Sequence, residues 1–487
     1  MRMARTSSTT AGPERLSRST ISCALLCAAL APLALLGGCQ QPARPAPPIE
    51  VKRPTQAPAL TPARGLALLK ESGERPADKL VQKMQERVER DPDKADRWIE
   101  LGQAWVRKAR ERAEPGYYRN ADACVELALA LEPDNAAALD LRGLVLMSDH
   151  RFAAARSLAQ GTLKLRPDDP MAFGTLSDAE LELGNYPQAL AAVERMLALK
   201  PNLPSYLRAS YLAWLQGNEP AAREAVRHAI DAAPQSSQNP EPRAYALTQA
   251  ALYFWHQGDY EGADVGLQMA LQVFPGYPAA LVGRARAALA TGRNAEAVKL
   301  LAQAYEQSPL IETGWLLGDA RTLSGDEAGA REVYARIERQ GSRLDPRTLA
   351  LYYATKGREL STALRLLEAE LQQRQDIYTQ DAYAFALYRA GRAGEALPFC
   401  EKALRLKTRD AALLYHAGAV HLAAGARAQG QRLLREALKQ NPVFDVYGAQ
   451  DARRLLGEPP TSGAAVAQRP FLAPAGRGPL DAEGRAR

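Results

Sequence analysis

A small residue recurs along this chain at an almost constant interval, at Ala121, Ala155, Ala189, Ala222, Ala263, Ala297, Ala330, Ala363, Ala396 and Gly430. Eight of the nine spacings are 33 or 34 residues, and the ninth, Ala222 to Ala263, is 41. Self-similarity at a fixed period of roughly 20–50 residues is the signature of stacked supersecondary units, none of which can bury its apolar face alone. This constrains the fold more tightly than composition does. The long interval contains the polar, proline-bearing stretch Gln235 to Pro242, which reads as a loop insertion.

Around each small residue lies a common frame. GNYPQALAAVERMLALKP, Gly184 to Pro201, has a glycine, an aromatic two residues on, Ala189, Val193 four later, Met196 three later and a closing proline. HRFAAARSLAQGTLKLRP, GDYEGADVGLQMALQVFP and GRNAEAVKLLAQAYEQSP repeat it. Apolar residues at three and four spacing ended by proline describe a helix of about four turns. A small side chain lets a second helix cross closely where a larger one would overpack the contact. Glycines 184, 217, 258, 292, 325, 357, 391 and 425 fall between the paired helices, where a left-handed residue ends a helix without a Cβ penalty.

This period and frame resemble the tetratricopeptide repeat, from about Ala95 to Leu456. The resemblance implies an all-α, right-handed superhelical solenoid of about ten helix-turn-helix units, with a concave groove that takes a protein or peptide ligand. Trp98, Leu101, Gly102 and Trp105 open the array in agreement with the family pattern, whereas Leu139, Arg142, Gly143 and Leu146 follow it less closely. Residues 63–94 read as capping helices, and Ala449 to Leu456 as a closing helix.

The N-terminus carries a different signal. Arg2, Arg5, Arg15 and Arg18 precede an uncharged run from Ile21 to Leu36, followed by Leu36-Gly37-Gly38-Cys39. Basic, apolar and small-residue regions in that order describe a secretory signal. The 16-residue apolar run contains Pro32, and falls short of the roughly 20 residues that span a bilayer. The four residues resemble a bacterial lipoprotein signal, which implies removal of residues 1–38, lipid on Cys39 and, with Gln40 next, the outer membrane facing the periplasm. In a cell with one membrane the same anchor implies its outer face. Residues 39–62 hold seven prolines, which favour an extended tether. Residues 457–487, rich in Pro, Gly and Ala, read as a disordered tail.

The rest of the chemistry is sparse. Four arginines and one glutamate before Cys39 account for +3 of the formal +7 charge, too little elsewhere for a nucleic-acid partner. Cys23 and Cys27 lie in the signal, and Cys124 and Cys400 sit on repeat packing faces, giving no disulfide framework. His416 and His421 are five apart, which does not place two metal ligands on one helical face, and His150 and His256 fall at or beside helix turns. No phosphate loop, nucleophile elbow or zinc-protease motif occurs. Asp168 and Asp169 follow Pro167, where helix-capping groups belong. The reading is therefore no catalytic residue, no metal and no cofactor.

Candidate partner-binding residues remain. Tyr117 and Tyr118 lie in an insertion beginning at Glu114, and an inserted loop with exposed tyrosines suits recognition, although Tyr118 also occupies the packing place before Ala121. Tyr253, Phe254 and Trp255 run consecutively on a helix, which buries only part of such a set. Arg142, Arg208 and Arg284 on first helices suit carboxylates of a peptide, or a solvated face. The expected function is a non-catalytic, lipid-anchored scaffold binding protein or peptide partners in the cell envelope. A carbohydrate- or peptidoglycan-binding accessory and an enzyme assembled across the groove stay open.

Overall fold

The computed structural model describes residues 61–112, 114–233 and 240–459. The lipobox Leu36, Gly37, Gly38 and Cys39, the tether up to residue 60, the inserted residues 235–239 and the tail from 460 lie outside them, while Thr61 and Pro62, expected in the tether, open the first helix. Two helices, α1 (Thr61–Ala67) and α2 (Pro76–Arg90), precede the array, packing on α4 and α3. The units that follow are α3 (Ala95–Arg112) with α4 (Tyr117–Leu131), α5 (Ala136–Ser148) with α6 (Phe152–Leu165), α7 (Pro170–Glu182) with α8 (Tyr186–Leu199), α9 (Leu203–Leu215) with α10 (Glu219–Ala232), and α11 (Glu241–His256) with α12 (Tyr260–Val273). Five more are α13 (Pro278–Ala290) with α14 (Asn294–Gln307), α15 (Ile311–Leu323) with α16 (Glu327–Leu344), α17 (Pro346–Lys356) with α18 (Leu360–Gln373), α19 (Ile377–Arg389) with α20 (Ala393–Leu404), and α21 (Ala411–Ala423) with α22 (Arg427–Gln440). Helix α23 (Gly448–Leu456) packs on α21 and α22. No strand occurs among the described residues, and the molecule is the all-α superhelical solenoid of ten units that the period predicts.

The periodic small residues all lie on second helices and all are buried. Gly430 shows why they stay small: a Cβ there would come within 2.8 Å of Gly418 O on α21. Each glycine at the eight turns has positive φ, from 67° at Gly357 to 88° at Gly425. His150 takes the same place in the second unit with φ of 56°, a non-glycine residue in the left-handed region. Several first helices start on side-chain caps. Asp169 Oδ1 accepts from the amides of Met171 and Ala172, and Asp376 Oδ1 accepts from Tyr378 and Thr379. Cys124 and Cys400 are buried free thiols whose pKa burial pushes up. Among the described residues no helix is long and apolar enough to cross a membrane.

Candidate functional site

An α-helix ends with backbone carbonyls that have no partner within the helix. At the ends of α7, α9 and α11 those carbonyls are satisfied by chain that follows nearly 200 residues later. Gln375 N donates to Glu182 O at 2.7 Å, Thr408 Oγ1 to Leu215 O at 2.5 Å, and Asn441 Nδ2 to Trp255 O at 2.7 Å. Gln375, Thr408 and Asn441 are themselves spaced 33 apart, so three consecutive loops dock on three consecutive turns.

The contact runs both ways. Tyr186 OH accepts from Ile377 N, the first amide of α19, at 2.9 Å. Tyr260 OH accepts from Val443 N at 3.0 Å and donates to Asn441 Oδ1 at 2.7 Å. Arg374, buried, pairs with Glu370 at 2.6 Å and with Glu182 at 3.5 Å. The approach is close enough that a Cβ on Gly184, Gly217 or Gly258 would lie 2.7, 2.6 or 2.8 Å from Gln375 O, Lys407 O or Pro442 Cδ. The solenoid thus meets itself after one superhelical turn, along a hydrogen-bonded seam.

The seam bounds an interior lined by first helices. Tyr211 on α9 feels Glu182, Asp376 and Arg347, which belong to both sides of the seam, and burial pushes its pKa up. It still exposes 39% of its surface, and Tyr245 on α11 exposes 42%. One cavity of about 370 Å³ is lined by Trp255, His256, Arg286, Trp315, Phe385, Tyr415, His416 and Arg453, drawn from five first helices and α23. A second, of about 740 Å³, lies between α2 and α3 on one side and α11, α13 and α15 on the other, with Arg75, Arg107, Arg110, Tyr277, Leu310 and Glu241 in its walls.

Most of the sequence-predicted contact residues are spent on the fold. Arg208 holds Asp178 in a bidentate pair at 2.8 and 2.6 Å, and Arg284 meets Asp264 at 2.7 Å and Glu296 at 3.5 Å. Arg142 lies 3.9 Å from Asp122. Tyr253 is buried, its hydroxyl 2.7 Å from Ser210 Oγ. Tyr117 stacks on Trp105 at 5.6 Å with Lys108 over its ring, and Tyr118 packs half-buried beside the same cluster. Trp255 borders the 370 Å³ cavity, stacked under Arg286 at 5.3 Å, and Tyr253 borders a much smaller crevice near Gly217.

Sequence reasoning weighed His416 only as a metal ligand beside His421 and passed over Asp381. His416 Nδ1 lies 2.7 Å from Asp381 Oδ2, both are buried, and the imidazole stacks on Phe385 at 3.9 Å. Burial raises the Asp381 pKa against the pull of the imidazole. The two stand 35 residues apart, about one period, on neighbouring first helices, a spacing legible in the sequence. His256, between Trp214 and Trp255, is held below its ordinary pKa by burial. Among the described residues no group of three or more His, Cys, Asp or Glu side chains is placed to hold a metal ion.

Comparison with known proteins identifies the unit. Residues 146–211 and 254–310 match the tetratricopeptide repeat family model. Over 114 residues the chain is 34% identical to an Hsp70-Hsp90 organizing protein of Triticum aestivum, a match spanning 23% of this chain and 19% of that protein. Among solved structures, a human IFIT1 dimer with m7Gppp-AAAA aligns at a TM-score of 0.43 and 13% identity, covering 77% of this chain and 93% of its own. PilW, a type IV pilus biogenesis factor, aligns at 0.35 and 16%, covering 41% and 91%. Residues 146–211 and 254–310 of this all-α solenoid are thus similar to tetratricopeptide repeats, and the other helix pairs repeat the same architecture.

Proposed function

We propose that this protein is a non-catalytic scaffold of the bacterial envelope, held at the outer membrane by lipid on Cys39 and binding a protein partner along its inner wall. The observation that carries partner binding is the second cavity. Leu310 at the start of α15, 51% exposed, lines a cleft bordered by the arginines 75, 107 and 110, and Tyr245 on α11, 42% exposed, lies near enough to Arg110 to feel its charge. Accessible aromatic and aliphatic groups rimmed by guanidinium groups are the composition of a protein-recognition surface. The repeat family and the partial match to a chaperone-organizing protein point the same way. The lipid anchor rests on Leu36-Gly37-Gly38-Cys39 and the prolines after it; two or more acyl chains give stable anchoring where one binds only marginally.

Two experiments test the reading. Affinity capture from detergent-solubilised envelopes recovers a protein with the wild type and loses it with the double variant Tyr245→Ser, Leu310→Ser. Capture unchanged by the variant, or recovery of a glycan alone, overturns it. Labelled palmitate enters the wild type and not Cys39→Ser; incorporation that persists in the variant overturns the anchor.

A further inference from the structure

The two ring nitrogens of His416 on α21, a residue only 8% exposed, have different surroundings. Nδ1 lies 2.7 Å from Asp381 Oδ2, and this contact, with the stack on Phe385 at 3.9 Å, fixes the plane of the imidazole. Nε2 has no hydrogen-bond partner among the described residues, yet it is not sealed off, and the residue borders the 370 Å³ cavity. A polar atom held at an apolar wall costs free energy unless something in the cavity meets it.

The walls around that nitrogen are flat. The rings of Trp255, Trp315, Phe385 and Tyr415, on four first helices, and of Phe444, in the loop before α23, line the same cavity. Three of them brace one another: Tyr415 lies 5.9 Å from Phe385 and 5.5 Å from Phe444, centroid to centroid. The charged residues of the lining are of both signs, Arg286 and Arg453 against Glu312, Asp410 and Asp445, so they single out neither an anion nor a cation. Arg286 and Glu312 pair with each other and border the partner-binding cavity as well, whereas His416 and the five rings border this one only.

We propose that this cavity binds an uncharged, flat apolar molecule carrying one hydroxyl, with the hydroxyl on His416 Nε2 and the body between the rings. A hydroxyl both donates and accepts, so it meets this nitrogen in either tautomer of the imidazole. The volume falls within the roughly 300–1,000 Å³ of small-molecule pockets, and a placed polar group among aromatic walls is their usual composition. The rings select the body and the imidazole selects its one polar group. Asp381 is a positioning residue, acting through His416.

The test uses the full chain with four probes of similar shape: naphthylmethanol, its apolar counterpart ethylnaphthalene, the anion naphthoate and the cation naphthylmethylammonium. Calorimetry and quenching of tryptophan emission measure binding. The alcohol binds about fivefold more tightly than ethylnaphthalene, as one neutral hydrogen bond implies. It also binds more tightly than either ion, since each ion gives up hydration without a matched counter-charge. The double variant Asp381→Asn, His416→Phe removes the nitrogen without stranding a buried carboxyl, and it binds alcohol and ethylnaphthalene equally. Circular dichroism checks that this variant folds; should it not, histidine nitrogen spectra of the wild type decide, where one Nε2 resonance moves with the alcohol and not with ethylnaphthalene. Equal binding of those two probes by the wild type, no binding of the alcohol, or tighter binding of either ion overturns the proposal. So does a preference for the alcohol that survives in the folded double variant.

Discussion

Gly217 and Gly425 occupy the same place in their units and share the left-handed backbone, with φ of 69° and 88°. A Cβ on Gly425 would meet nothing within 4 Å, whereas on Gly217 it would press on Lys407 O. One rule of local structure therefore serves two situations. At Gly425 the residue only turns the chain, and at Gly217 it also lets the next superhelical turn approach. The seam is a tertiary demand laid over a repeat that was already consistent with itself.

The sharpest way to break that comparison is to make the same change in both places. Val at either position carries the left-handed strain of a β-branched residue, so Gly217→Val against Gly425→Val isolates the seam. We expect the Gly217 variant to be less stable by about 2 kcal/mol more, read from denaturant midpoints, because backbone rather than a flexible side chain must give way. Equal midpoints would mean the contact contributes nothing.

Overpacking a helix crossing is expected to ignore the seam altogether. Ala263→Leu and Ala330→Leu, one in a seam unit and one outside it, each cost about 1–3 kcal/mol. A large difference between them would show that repeat packing and closure are not separable. A finer probe is the hydroxyl of Thr408, which donates across the seam to Leu215 O, against that of Thr291, which donates within its own helix to Ala287 O. Thr408→Val lowers stability by about 1–2 kcal/mol and Thr291→Val changes it little, since only the first leaves a buried carbonyl without its donor.

The smallest effect lies away from the seam. Asp140 on α5 has its pKa pushed up from 3.8 to about 6, first by burial and then by Asp169, against the opposing pull of Arg166. A raised folded-state pKa means that this carboxyl contributes stability when protonated, fully present below pH 3.8 and lost as pH rises through about 6. Asp140→Asn is expected to raise stability at pH 7 by about 1 kcal/mol or less once solvent screening is counted, and to change it little at pH 3.5. A melting temperature at pH 7 unchanged by the substitution contradicts this.

What could be read from the sequence follows from what a repeat period contains. The alanine register, the turn glycines and the capping aspartates are local, so helix pairs and their order were legible. Closure was not, because the angle between neighbouring units is set by many small packing differences, and only their sum over nearly six units decides whether the chain meets itself. One trace of it did exist: Tyr186 and Tyr260 stand two residues after turn glycines, and reading them as packing aromatics overlooked their hydroxyls. The partners of the arginines were hidden for a similar reason. Asp178 is 30 residues from Arg208, and Asp264 20 from Arg284, so the acids that claim them belong to neighbouring helices. Arg453 reads in sequence as one more surface charge on a short helix; its burial is a consequence of α23 closing the array.

The central claim is that the superhelix closes on itself through consecutive turns. Spin labels at Gln216→Cys and Arg409→Cys test it directly, since both positions are exposed and flank the approach of Lys407 O to Gly217. A pulsed dipolar measurement on the folded chain should give one short, narrow distance. A long or broad distribution would mean that the array is open and that the seam, with the interior it bounds, does not exist in solution.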